Sequence, residues 1–214
     1  GGPRDGYVVK KPVALEWRTG KGLDMVCASY GRLAEENWGP SKLRNVVHTR
    51  WVLFVKPDYW IVCDTLEPTD DAEHLYESTF HLDAPSVETD PATLTVTTRR
   101  QGPNLTIVPL TMEGLQVRIV SGQMEPYVQG WLPRRHGMTG ADPRPCVYYS
   151  MRRKGVTDLF YVFAPSPPDK PSPVRSVRKL TDSRARLSAV IDLADGSHHT
   201  FTLLPDGSVR FRRG

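Results

Sequence analysis

Proline and glycine are spread along the whole chain rather than collected in one linker, nineteen and seventeen among 214 residues. A helix loses a hydrogen bond and meets a clash at each internal proline, and loses backbone entropy at each glycine. Short strands closed by turns tolerate both. The segments between these breakers read accordingly as runs of five to ten residues rich in Val, Ile, Thr and aromatics, at 13–18, 24–30, 46–55, 59–66, 74–82, 93–99, 105–110, 116–120, 147–152, 159–164, 174–180, 186–193, 197–204 and 208–212. Such a series predicts an all-β protein with little or no helix, built as a large antiparallel β-sandwich. One helical turn or two is expected at 31–39, and the Pro-rich 164–173 reads as an extended surface loop. The forty residues after that loop are too few for an independent core, so 1–214 is expected to be a single domain.

Several turns carry a mechanism. In WVLFVKPDYWIVCD, Pro57 suits the first central position of a tight turn and Asp58 can close it with its side chain. The two flanking runs are continuously apolar, which predicts central strands buried on both faces. Asp195-Gly196 and Asp206-Gly207, each between strand formers, predict two successive hairpins and hence a terminal meander. Alternation at 74–82 and at Leu94 and Val96 predicts strands with one wet face.

Composition excludes some classes. No apolar run is long enough for a membrane helix, and the first residues lack the basic and apolar regions of a signal peptide. The formal charge is +4, but 1–129 hold 13 basic and 17 acidic residues, a net −4, whereas 130–214 hold 15 and 7, a net +8. The second part can attract an anionic polymer. Cys27, Cys63 and Cys146 lie in separate apolar segments without metal or redox spacing and read as buried thiols. There is no nucleophile elbow and no glycine-rich phosphate loop.

The block VVHTRWVLFVKPDYWIVCDTL at 46–66, followed by EHLYESTFHL at 73–82, resembles the C-terminal β-domain of the heparinase II/III-like polysaccharide lyases. The pattern is carried by His48, Arg50, Phe54, Pro57, Tyr59, Trp60, Asp64, His74, Tyr76 and His81. GWLP at 130–133 and PCVYYSMRRKGVTDLFYVFAP at 145–165 are similar to the family's Gly-Trp loop and the strands after it. The resemblance implies a supersandwich-like fold and a parent enzyme that cleaves uronate-containing polysaccharides by β-elimination. It also implies an N-terminal α/α-toroid as intramolecular partner, and a periplasmic or secreted location for the parent. The family's His-x-His and His-Asn-Thr segments, and its toroid, have no counterpart in this sequence. No catalytic residue, metal site or cofactor is therefore expected in the chain, although the parent can carry a metal ion, and the chain alone is expected to be inactive. The expected partner is an acidic polysaccharide, with neither nucleic acid nor membrane. The alternative is a non-catalytic carbohydrate-binding or structural β-sandwich module.

Individual residues leave two readings open. His48 and Arg50 share a strand face with Asp64 opposite, so Arg50 is either a carboxylate binder or half of a structural ion pair. Trp131, Arg134, Arg135 and His136, in GWLPRRHG, are the best candidates for substrate contact: an aromatic face stacks on a sugar, and a guanidinium fork matches carboxylate or sulfate. The competing reading is a solvated loop whose tryptophan plugs the core. A metal on His48, Asp64 and His81 is chemically conceivable. His74 and His81, and likewise His198 and His199, have odd separations that point them to opposite faces. Arg152, Arg153 and Lys154 read as a solvated turn, and Asn104-Leu105-Thr106 as a glycosylation tripeptide of little weight.

Overall fold

The structure, a computed structural model, describes residues 16–30, 46–110, 112–134 and 140–214. The helical turn expected at 31–39 lies outside the described residues. Every described residue that is in regular structure is in an antiparallel strand, and all fourteen expected strands are found. The chain divides into two compact units, Gly1–His74 with Arg153–Phe163, and Leu75–Arg152 with Ala164–Gly214.

The first unit is a sheet in the order β1 (Glu16–Thr19), β2 (Leu23–Tyr30), β3 (Val46–Val55), β4 (Tyr59–Pro68) and β13 (Thr157–Ser166). Cross-strand partners share a face. One face therefore collects Met25, Leu53 and Ile61 in one row, Cys27, Trp51, Cys63 and Phe160 in the next, and Val55 with Tyr59, all of them buried. The other face departs from the expectation of burial on both sides: Val52, Phe54 and Val62 are part-exposed and Trp60 is exposed. Its largest rings shield each other instead, Phe54 stacking on Trp60 at 4.4 Å between centroids.

The β3–β4 turn also differs in detail. Asp58 N donates to Val55 O at 2.7 Å, which makes Lys56 and Pro57 the central residues. Pro57 thus takes the second central place, after a cis Lys56–Pro57 bond, not the first.

In the second unit β5 (Glu73–His81), β12 (Cys146–Lys154) and β9 (Gln116–Val120) form one sheet, and β6 (Ser86–Asp90), β7 (Thr95–Arg99) and β8 (Asn104–Pro109) lie side by side. Two three-residue strands, β10 (Trp131–Pro133) and β11 (Ala141–Pro143), pair with each other. The end of the chain is the meander β14 (Val174–Lys179), β15 (Leu187–Leu193), β16 (His198–Leu203) and β17 (Val209–Arg213). Its two Asp-Gly hairpins close as three-residue loops. Leu193 N donates to Ser197 O and Leu204 N to Ser208 O, with Gly196 and Gly207 at φ 90° and 81°. In each loop the aspartate accepts from the backbone N–H and hydroxyl of the serine two residues on.

The expected strand at 93–99 starts later, because Leu94 has φ 57° and belongs to the β6–β7 turn. Its carbonyl accepts from the Tyr149 hydroxyl at 2.9 Å. The three cysteines are buried free thiols, as expected.

Candidate functional site

Strand pairing in the first unit brings the predicted His48, Arg50 and Asp64 together. Arg50 lies directly across from Asp64, and His48 is two residues before it on the same face. Arg50 Nε and Nη2 donate to the two carboxylate oxygens at 2.6 and 2.8 Å, and His48 Nε2 lies 2.7 Å from Oδ1. Asp64 is almost fully buried while the Arg50 side chain is 43% exposed. Burial opposes ionisation of Asp64, but hydrogen bonds from Arg50 and then His48 outweigh it and hold its carboxyl below the ordinary value. The same bond raises the Arg50 guanidinium. Two of the three guanidinium nitrogens are thus already committed to Asp64, so this is first an intramolecular ion pair, with one edge of Arg50 left toward solvent.

The residues for which a shared metal is chemically conceivable have other partners. His48 is on Asp64, and His81 Nε2 is 3.2 Å from Gln129 Oε1. Among the described residues no three His, Cys, Asp or Glu side chains group as metal ligands. His74 faces the side of Tyr76 and Ser78 whereas His81 points outward; His199 is buried whereas His198 is exposed.

In the second unit the Gly-Trp loop is held by its own backbone. Gln123 and Gln129 exchange N–H···O bonds, Gly122 N donates to Gly130 O, and the Trp131 indole N–H donates to Gln123 O at 2.9 Å. Trp131 is therefore half-buried with its polar atom spent on the loop itself. Arg134 donates through Nε and Nη2 to Asp142 Oδ1 at 3.0 and 2.9 Å, across the β10–β11 hairpin, and stays about half exposed. Arg135 and His136 lie outside the described residues.

The same loop contributes to a cluster that sequence inspection does not anticipate. β9 pairs with β12 so that Arg118 faces Tyr148, with its guanidinium carbon 4.3 Å from the ring centroid. Tyr127, half exposed at the loop tip, is the main influence that raises the Arg118 guanidinium above its ordinary value. Gln129 bridges His81 and Tyr148, its Oε1 accepting from His81 Nε2 and its Nε2 donating to the Tyr148 hydroxyl. Chiefly because it is buried, Tyr148 titrates above its ordinary value and stays a neutral hydroxyl. The cluster gathers a cation, an exposed phenol, an amide and an imidazole.

The fold is an all-β domain built from antiparallel sheets. The chain matches the family described as Heparinase II/III-like, C-terminal, over residues 17–147, more than half of its length. It belongs to that family. Among solved structures it is similar to the heparan sulfate lyase HepC from Pedobacter heparinus, with 19% identity, a TM-score of 0.63, and coverage of 97% of this chain and 28% of that one. A heparinase III, the BT4657 gene product, gives 12% identity, a TM-score of 0.64, and coverage of 95% and 27%. Another heparinase III gives 14%, 0.58, 95% and 27%. At these identities the likeness is one of fold, and the chain spans little more than a quarter of each of those proteins. No curated protein is matched by sequence.

Proposed function

We propose that this chain is the C-terminal β-domain of a longer polysaccharide lyase that cleaves a uronate-containing chain by β-elimination, and that it supplies one wall of the substrate cleft. The elimination requires a group that neutralises the uronate carboxylate, a base for the C5 proton and an acid for the leaving oxygen. Base and acid belong to the rest of the parent, an N-terminal helical toroid. The residues here bind and orient. An extracellular or periplasmic setting follows from such a substrate.

The observation that carries this reading is the Arg118–Tyr127–Tyr148 cluster on a chain of this family: a guanidinium held against one ring beside an exposed second ring, with Arg134 on the neighbouring hairpin. Trp131 acts there through the loop that its indole N–H braces. The test is an assay for the unsaturated uronate product, run on the parent enzyme and on this chain alone. The parent should be active and the chain inactive. In the parent, Arg118→Ala should raise KM about tenfold with kcat little changed, the mark of lost uniform binding. Product formed by the isolated chain would overturn the assignment of base and acid. An inactive parent whose β-domain still binds the glycan would make the chain a carbohydrate-binding module.

A further inference from the structure

The terminal meander lies outside the residues matched by the family and apart from the cluster just described. Residues 174–214 hold eight Arg and Lys against four Asp, a net +4, so this one sheet accounts for the formal charge of the whole chain. Register puts Arg212 across from Thr200, Arg210 across from Thr202, and Ser188 across from Thr202. Paired residues share a face, as do residues two apart on a strand, so all five look the same way. With Arg184 they line a trough of about 640 Å³.

Hydroxyls line part of it, beside the apolar Leu180, Leu204 and Pro205. The Ser188 and Thr202 hydroxyls are 3.1 Å apart, with Thr200 beside them. Arg210 and Arg212 stand roughly 7 Å apart along β17. Two carboxylates also border the trough, and both are engaged by their own turns: Asp182 by the Arg184 backbone N–H and guanidinium, Asp206 by Ser208. Both also feel the charge of Arg210. The Arg212 side chain has no hydrogen-bonded or ion-paired partner among the described residues.

We propose that this trough is a second binding surface, for an extended acidic glycan whose carboxylate or sulfate groups meet Arg210, Arg212 and Arg184 while its hydroxyls meet Thr200 and Thr202. Arginine forks match both anions, and threonine hydroxyls both donate and accept toward sugar hydroxyls. Single-stranded nucleic acid, the other common polyanion, is held in grooves with aromatic faces for its bases. No Phe, Tyr or Trp lines this trough. The surface does not rest on the lyase reading: it would hold an acidic chain whether or not the parent cleaves it.

The test is titration of this chain, with amide shifts recorded, against a heparin-derived hexasaccharide, with maltohexaose and an oligo(dT) of similar charge as comparisons. Saturable binding should perturb Ser188, Thr200 and Thr202 and weaken with salt. Arg210→Ala combined with Arg212→Ala should weaken it at least about tenfold, and Arg210→Lys with Arg212→Lys less so, because charge survives but the fork does not. Arg118→Ala should leave these three residues' response intact, which separates this surface from the proposed cleft wall. If the double alanine variant does not fold, Arg212→Gln carries the comparison. Shifts confined to other strands, a double variant that binds like the parent sequence, equal binding of maltohexaose, or tighter binding of oligo(dT) would each overturn the proposal.

Discussion

Arg50 and Asp64 face each other across the β3–β4 hairpin, joined by two hydrogen bonds of 2.6 and 2.8 Å, with the carboxylate buried and the guanidinium half in water. Asp64→Asn should destabilise the fold by roughly 2–4 kcal/mol, at the low end for a buried pair because Arg50 can turn to solvent. Denaturant unfolding of the two proteins measures it.

The same pair fixes a pH dependence. Asp64 has a lowered folded pKa, so its stabilisation is fully present above the ordinary carboxylate value of 3.8 and is lost as pH falls through the folded value. The stability gap between the parent sequence and Asp64→Asn should therefore be constant near neutrality and close below about pH 4. A gap that widens in acid would contradict the ion pair.

Gly130 and Gly155 separate two costs of adding a methyl group. Both have positive φ, 74° and 69°. A Cβ at Gly130 would lie 2.6 Å from Val120 O and 2.7 Å from Ser121 Cα, whereas at Gly155 nothing is within 4 Å. Gly155→Ala should cost only the backbone preference, about 1 kcal/mol. Gly130→Ala should cost several kcal/mol and loosen the loop that presents Tyr127. Thermal unfolding of the two variants makes the comparison.

Trp131→Phe keeps a ring and deletes the indole N–H that donates to Gln123 O. It should lower stability by about 1 kcal/mol, the Gln123 carbonyl keeping only the Gln129 N–H as donor. Glycan affinity should fall less than for Tyr127→Ala, which leaves the loop backbone intact. The reverse order would make Trp131 itself the sugar platform.

Cys27, Cys63 and Cys146 are buried, and burial, with the nearby Glu16, pushes the Cys27 thiol up to about 11. At pH 8 none should react with an aromatic disulfide reagent in the native state, and all three should react in denaturant. Prompt reaction of a native thiol would mean that the sheet opens locally.

Much of this was legible in the sequence. The continuous apolar runs at 46–55 and 59–66 give β3 and β4, and the i, i+2 spacing of His48 and Arg50 places both on the face that carries Asp64. Three strands escaped notice for separate reasons. β6, SVETD, has a single large apolar residue, and β10 and β11 each end in proline and hold only three residues. The Arg118–Tyr148 contact was out of reach because β9 and β12 are not sequence neighbours, and register between distant strands leaves no local trace. Only one half of the Arg134 ion pair stood out, since Asp142 becomes its partner through the pairing of two strands too short to be read from sequence. The second face of the β3–β4 hairpin misled because valine runs look alike whether a face is covered or half open.

β4 finds its outer neighbour very late in the chain: Thr65 meets Asp158, 93 residues on, where β13 pairs with it. During synthesis this ten-residue strand must wait with one row of backbone amides and carbonyls unmet. Any truncation ending between residues 69 and 156 leaves that row permanently bare. Such shortened forms will associate through it, and soluble fragments of this protein must be cut after β13 and not at the visually tempting turn that follows β9.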